Sequence, residues 1–257
     1  MFWFKKRRRS RLANQQFAEE WSKILEKNLP LYTSLPMEDK AELQRHMLVF
    51  IGEKRFEGCG GLVITDEIKV TIAAQACVLL LHRKTDYYPD VSSVLVYPQA
   101  FVARRARHLA SGVVAEAPQI LAGESWDRGS IVLSWDDVRR GAADIQDGHN
   151  VVFHEFAHQI DSSSGKGDSS AVLKDRSSYI AWARVLRNDY EKLRRAVARN
   201  RPSLLDEYGA SNPAEFFAVA TEFFFEKPEK LREIHSDLYN ELQRFYQQDP
   251  ASYRAWS

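Results

Sequence analysis

The chain has 257 residues, 44% of them hydrophobic and 28% charged, enough apolar material for a sizeable core, and its formal net charge of +1 argues against a folded body that binds nucleic acid wholesale. Cys59 and Cys77 are too few for a disulfide framework and lack the spacing of a zinc ribbon, which fits a reducing cytoplasm. No apolar run reaches the ~20 residues of a membrane span, and no apolar stretch follows the basic N-terminus as in a secretory signal.

In chain order, residues 1–14 read as a basic flexible tail. Phe2-Trp3-Phe4 leads into Lys5-Lys6-Arg7-Arg8-Arg9 and Arg11, a solvated run whose charge suits acidic lipid, nucleic acid or an acidic partner. The remainder, 15–257, reads as a single domain. Residues 15–28 place Phe17, Trp21, Ile24 and Leu25 on one helical face, and 37–51 form a second packing helix. A glycine-rich bend at 58–61 precedes a mostly helical stretch, 65–81, whose Ala73, Ala74 and Ala76 permit close approach of neighbours. The clearest strands are 94–97, 112–114 and 130–134, which predict a small mixed sheet. Residues 161–168 are polar and glycine-containing, and read as a mobile loop. Beyond them 179–199, 213–226 and 229–248 carry helical periodicity, punctuated by Pro202, Pro213, Pro228 and Pro250. The fold class is therefore α+β and mainly helical.

Between the strands and the late helices lies His154-Glu155-Phe156-Ala157-His158. Residues four apart on a helix lie one above the other, so His154 and His158 can hold one metal ion while Glu155 faces the same cleft as a general base. Asp147-Gly148 marks a turn, Asn150 is placed to cap the helix, and Val151, Val152, Phe156, Ala157 and Ile160 supply its buried side. Two histidines and a glutamate in an apolar helix need compensation, and one zinc ion provides it.

A catalytic zinc takes three protein ligands and keeps one position open. His46, His82, His108, His149 and His235 sit in no ligand-like pattern. Glu215 and Glu222 share a face of an otherwise apolar helix, placing one at the metal and one behind it. Spacing alone leaves a second reading of Glu215 open, since Asn212 and Glu215 also have capping-box spacing with Pro213 at the first helical position. Asp161 can reach the same side as His154, either to orient a ligand imidazole or to cap the helix end.

The run His154 to Asp161, Tyr208-Gly209-Ala210 and Ala214-Glu215-Phe216-Phe217-Ala218-Val219 resemble the Mlc titration factor A family of bacterial zinc metallopeptidases. More distantly they resemble the anthrax lethal factor catalytic domain. The resemblance covers roughly 130–225 with the 94–97 and 133–137 segments, and stops short of the basic N-terminus. It implies a zincin-like domain in which Glu215 completes the zinc site and Tyr208 faces the substrate, there to donate a hydrogen bond to the oxyanion.

The enzymatic expectation is a zinc-dependent peptidase acting on peptide substrates, an aminopeptidase by resemblance, with Glu222 or an aspartate near Trp135 as candidates to capture the substrate amine. The strand 130–134 is expected to pair with an extended substrate, and Trp135, Asp136 and Asp137 at its end to shape the cleft. The alternative is a zinc-containing protein that binds a transcriptional repressor of the Mlc type, as the family name implies.

Overall fold

The computed structural model describes residues 2–99, 101–108, 114–121, 123–126, 129–163 and 176–253, and their side chains except those of 2, 101–126, 163 and 176. The chain runs through helices α1 (Phe2–Ala13), α2 (Glu19–Asn28), α3 (Pro30–Ser34) and α4 (Met37–Glu53), strand β1 (Arg55–Gly58) and helix α5 (Asp66–Val78). Strands β2 (Ser93–Tyr97), β3 (Phe101–His108), β4 (Val114–Leu121), β5 (Gly123–Trp126) and β6 (Ser130–Ser134) follow. Helices α6 (Trp135–Ala143), α7 (Val151–Ser163), α8 (Arg176–Ala198), α9 (Pro213–Glu226), α10 (Pro228–Ile234) and α11 (Ser236–Tyr246) complete it, with short 3₁₀ turns at Glu207–Ala210 and Pro250–Ser252. This is the mainly helical α+β fold that the sequence predicts.

The main sheet has the order β1-β2-β6-β5, three parallel strands with β5 antiparallel at the end, while β3 and β4 form a separate antiparallel ribbon. Val94 aligns with Ile131 and Val96 with Leu133, and all four are buried. That matches a sheet covered by helices, which calls for near-continuous apolar strands. The strand 130–134 is flanked on both sides, by β2 and β5, so it does not offer the free edge expected of it; β5 does, among the described residues. Trp135, Asp136 and Asp137 open α6, with Ser134 as its cap, because the Ser134 hydroxyl accepts from the Asp137 amide at 3.4 Å.

Helix α5 is the centre of the core. Every residue from Val70 to Val78 is buried, and the small side chains of Ala73, Ala74 and Ala76 let α2, α4, α6 and α7 approach it. Thr65 caps its start, accepting from the Ile68 amide at 3.3 Å. A second aromatic layer joins the C-terminal helices, where Phe217, Phe224 and Phe225 of α9 meet Phe245 and Tyr246 of α11.

Residues expected as a flexible tail form α1 instead. Arg9 reaches Glu53 with two hydrogen bonds of 2.8 Å and also pairs with Asp86, partners that local composition does not reveal. The stretch 229–248 divides into α10 and α11 at His235, whose φ of −127° and ψ of 56° interrupt the helical path. Its ring is held by Asp189 at 2.9 Å. Of the loop expected at 161–168, Asp161, Ser162 and Ser163 belong to α7 and 164–168 lie outside the described residues, as do residues 112 and 113 of an expected strand. Among the described residues no helix is long and apolar enough to cross a membrane.

Candidate metal centre

Helix α7 owes its position to the turn before it. Gly148 has a φ of +83°, a conformation that L side chains rarely adopt, and a Cβ there would stand 2.8 Å from the Phe223 ring. The Asn150 side chain caps the helix, accepting from the amides of Val152 at 3.1 Å and Phe153 at 3.0 Å. Its own amide nitrogen donates to Gln75 Oε1 and to the Gly141 carbonyl. The apolar side of α7 then locks in: Phe156 meets Phe50 and Tyr88, and Phe153 meets Phe225 of α9. The opposite side carries His154 and His158, partly open to solvent.

Three donor atoms from α7 and α9 meet at one corner. His154 Nε2 lies 3.0 Å from Glu215 Oε2, His158 Nε2 lies 3.2 Å from the same oxygen, and the two imidazole nitrogens are 3.2 Å apart. Neighbouring donors around a tetrahedral zinc, with bonds of about 2.0–2.1 Å, stand roughly 3.3 Å apart. The residues therefore fit a small divalent cation, and they form a three-residue group able to hold one. Asn212 caps α9 through the amides of Ala214 and Glu215, at 2.9 and 3.0 Å. The cap uses the Glu215 main chain and leaves its carboxylate for the corner, so the two readings of Glu215 are compatible.

Electrostatics express the same demand for a cation. Burial opposes a charged His154, but hydrogen bonds to Glu215 and Glu222 outweigh it and push its pKa up to about 10. Burial likewise opposes an ionised Glu215, and the two histidines overcome it, bringing that carboxyl down to about 2. A cation held at this corner would offset the same negative charge that the His154 proton offsets here.

Glu222 lies one step behind the corner formed by His154, His158 and Glu215. One of its oxygens faces His154 Nδ1 at 2.7 Å and the other accepts from the Asn150 amide at 2.6 Å. Burial drives this carboxyl toward its protonated form, and these contacts oppose that. With both oxygens used inside the protein, Glu222 is not free to capture a substrate amine. Asp136 and Asp137 pair with Arg139 and Arg140 along the surface of α6.

Glu155 is almost fully buried, and its charge is among those that raise the His154 pKa. Tyr208 sits in the 3₁₀ turn between α8 and α9, its ring centre 5.9 Å from that of His154 and its side chain about half exposed. Asp206 caps this turn through the Tyr208 amide at 2.8 Å. Gly209 lets the turn lie against α8 and α9, since a Cβ would be 3.2 Å from Leu193 and 3.3 Å from Val219. Burial raises the pKa of Asp161 and the nearby His158 opposes that rise, and among the described residues Asp161 makes no hydrogen bond to either imidazole.

Two supporting residues were not anticipated. Glu226, one turn beyond Glu222, accepts from the Gly148 amide at 3.1 Å, and Gln75 holds the Asn150 side chain. Each left a trace in the sequence: a second carboxylate four residues on along the same face, and a lone amide inside an alanine-rich run.

An HExxH helix joined by a glutamate from a second buried helix is the donor set of a metal-dependent peptidase. The family model described as glucose-regulated metallo-peptidase M90 matches residues 3–247, and the chain belongs to that family. The match takes in α1, so the likeness extends further toward the N-terminus than the motifs alone imply. An uncharacterized protein of Synechocystis is 39% identical over 244 residues, 95% of this chain and 89% of its own length. Mlc titration factor A of Pectobacterium atrosepticum is 30% identical over 244 residues, 94% and 91% of the two chains. That of Serratia proteamaculans is 31% identical over 227 residues, 86% and 85%.

Proposed function

We propose that this chain is a cytoplasmic zinc-dependent peptidase, aminopeptidase in preference to endopeptidase, with His154, His158 and Glu215 as ligands of one zinc ion. The convergence of those three donors, braced by Glu222, is the observation that carries the reading. Zinc bound there supplies Lewis acidity, which polarises the scissile carbonyl and makes water easier to deprotonate. Glu155 takes the proton of the attacking water and passes it to the departing amine. The Tyr208 hydroxyl donates a hydrogen bond to the carbonyl oxygen as charge builds there, an interaction stronger in the transition state than in the ground state. Glu222 fixes the His154 ring so that its Nε2 lone pair points to the metal corner. The edge of β5 that is unpaired among the described residues, on a strand that packs near α7, gives an extended peptide main chain a hydrogen-bonding partner.

The experiment is hydrolysis of a panel of peptides and amino-acid anilides by zinc-loaded protein, with Glu155→Gln beside it. The expected result is turnover that falls at least about a hundredfold in the variant while its zinc content is unchanged. Equal turnover in the two proteins removes Glu155 from the mechanism. The name Mlc titration factor A among the relatives supports a second, compatible reading, in which this chain binds a Mlc-like transcriptional repressor. Zinc retained without turnover on any substrate favours that reading, and repressor binding by Glu155→Gln then tests it.

A further inference from the structure

Helix α1 carries a surface that peptide hydrolysis does not use. One side of it is docked on α4 and the segment after α5. Leu12 covers Gly52, Arg8 donates to the Gly52 carbonyl at 2.8 Å, and Arg9 binds Glu53 while stacking on Tyr87 at 4.7 Å. Lys5 pairs with Asp86 at 2.8 Å. At about 100° per residue, Trp3, Lys6, Arg7, Ser10 and Arg11 project from the opposite side, with Phe4 on its flank. Trp3 is 62% and Phe4 72% exposed. Among the described residues Lys6, Arg7 and Arg11 meet no carboxylate.

Neither water nor helix stability accounts for this arrangement. Two large aromatic rings at one helix end expose apolar area that burial would stabilise. Cations near a helix N-terminus oppose its dipole, where acidic groups are favoured. A boundary that is both apolar and negatively charged compensates both. We infer that the outer face of α1 docks the protein on a bilayer rich in anionic lipid, with Trp3 and Phe4 at headgroup level and Lys6, Arg7 and Arg11 against lipid phosphates.

The packing of the aromatic pair favours lipid over nucleic acid. Trp3 lies under the Arg7 guanidinium at 5.4 Å and meets Phe4 edge to face at 5.4 Å, so the two rings form one joined apolar surface rather than separate parallel platforms for successive bases. Together they present a compact wedge. Because Arg9 pins the helix to Glu53, Asp86 and Tyr87, docking through this face fixes the orientation of the whole body on the surface.

The inference is independent of the peptidase reading and is tested with the full chain by sedimentation with vesicles. Phosphatidylglycerol mixed with phosphatidylcholine in equal parts is compared with phosphatidylcholine alone. Binding is expected to the mixed vesicles only and to weaken as salt rises. Each cation raises the partition about fivefold, so Arg7→Ala with Arg11→Ala lowers it about 25-fold. Trp3→Ala with Phe4→Ala also lowers it, with peptide hydrolysis and thermal midpoint unchanged, since neither residue holds α1 in place. Equal partition onto the two vesicle types, unaltered partition of the Arg7/Arg11 variant, tighter binding to a random oligonucleotide than to the mixed vesicles, or dimerisation through the aromatic pair would each overturn it.

Discussion

Glu222→Gln isolates the support of the metal corner from the corner itself. Both contacts of Glu222 come from donors, the Asn150 main-chain N–H at 2.6 Å and His154 Nδ1 at 2.7 Å, so the position requires two acceptors. A glutamine has the same shape but only one acceptor and an NH₂ group. If its oxygen keeps Asn150, the NH₂ faces Nδ1 and drives the imidazole proton to Nε2, the atom the metal needs. If the oxygen keeps His154, the buried Asn150 amide faces another donor and the start of α7 shifts. Either loss removes a charge-assisted hydrogen bond of about 1.5–3 kcal/mol, and zinc affinity should fall about 10–100-fold. Zinc-linked stabilisation then drops by about 1.4–2.7 kcal/mol at saturating metal, or roughly 3–10 °C in Tm for a chain of this size. Competition with a chromophoric chelator reads the affinity, and thermal unfolding with and without zinc reads the linkage. Unchanged affinity with an unchanged zinc-dependent Tm shift would refute the claim that Glu222 sets the His154 tautomer.

Glu215→Ala should lose zinc on dialysis, whereas Tyr208→Phe should keep it and lose about 10²–10³ in kcat with little change in KM; metal analysis and steady-state kinetics separate them. In chelator, the pH profile of stability follows from the two perturbed groups. His154, raised from 6.5 to about 10 in the folded protein, contributes stability that is complete below 6.5 and lost as pH climbs through about 10. Glu215, lowered from 4.5 to about 2, contributes stability present above 4.5 and lost as pH falls through about 2. The contribution of this pair therefore peaks between pH 4.5 and 6.5, and the metal-free Tm declines above that window, a decline that zinc suppresses. A flat metal-free Tm up to pH about 10 contradicts the assignment. Gly148→Ala combines a left-handed φ with a clash on Phe223, and should destabilise the protein by about 2–4 kcal/mol, read by thermal unfolding.

The parts of the fold that were legible in the sequence are those whose cause is local. Asn212, Pro213 and an apolar run delimit α9 at Pro213–Glu226, because cap, first-turn proline and periodicity all lie within the segment. The face shared by Glu215 and Glu222 was legible for the same reason. What escaped depends on partners distant in sequence. Helix α1 is held by Glu53 and Asp86, which are 44 and 77 residues from Arg9. Strand β1 is four residues without burial alternation, and it is a strand because β2 supplies its hydrogen bonds. His235, where α10 gives way to α11, is bonded to Asp189 of another helix, 46 residues away. The carboxylate bonded to His154 Nδ1 is Glu222 of the facing helix, 68 residues on, whereas Asp161 lies near His158.

The corner that joins α7 to α9 also bears on how the protein is made. Glu215 follows His158 by 57 residues in the chain. A ribosome adding about 5–20 residues per second needs roughly 3–11 s to cover that distance. During that interval the nascent chain carries His154 and His158 but neither Glu215 nor the Glu222 that bonds His154. On the proposed ligand set, the metal site is therefore complete only after α9 has left the ribosome and packed on α7, which makes metal binding a late event of biosynthesis.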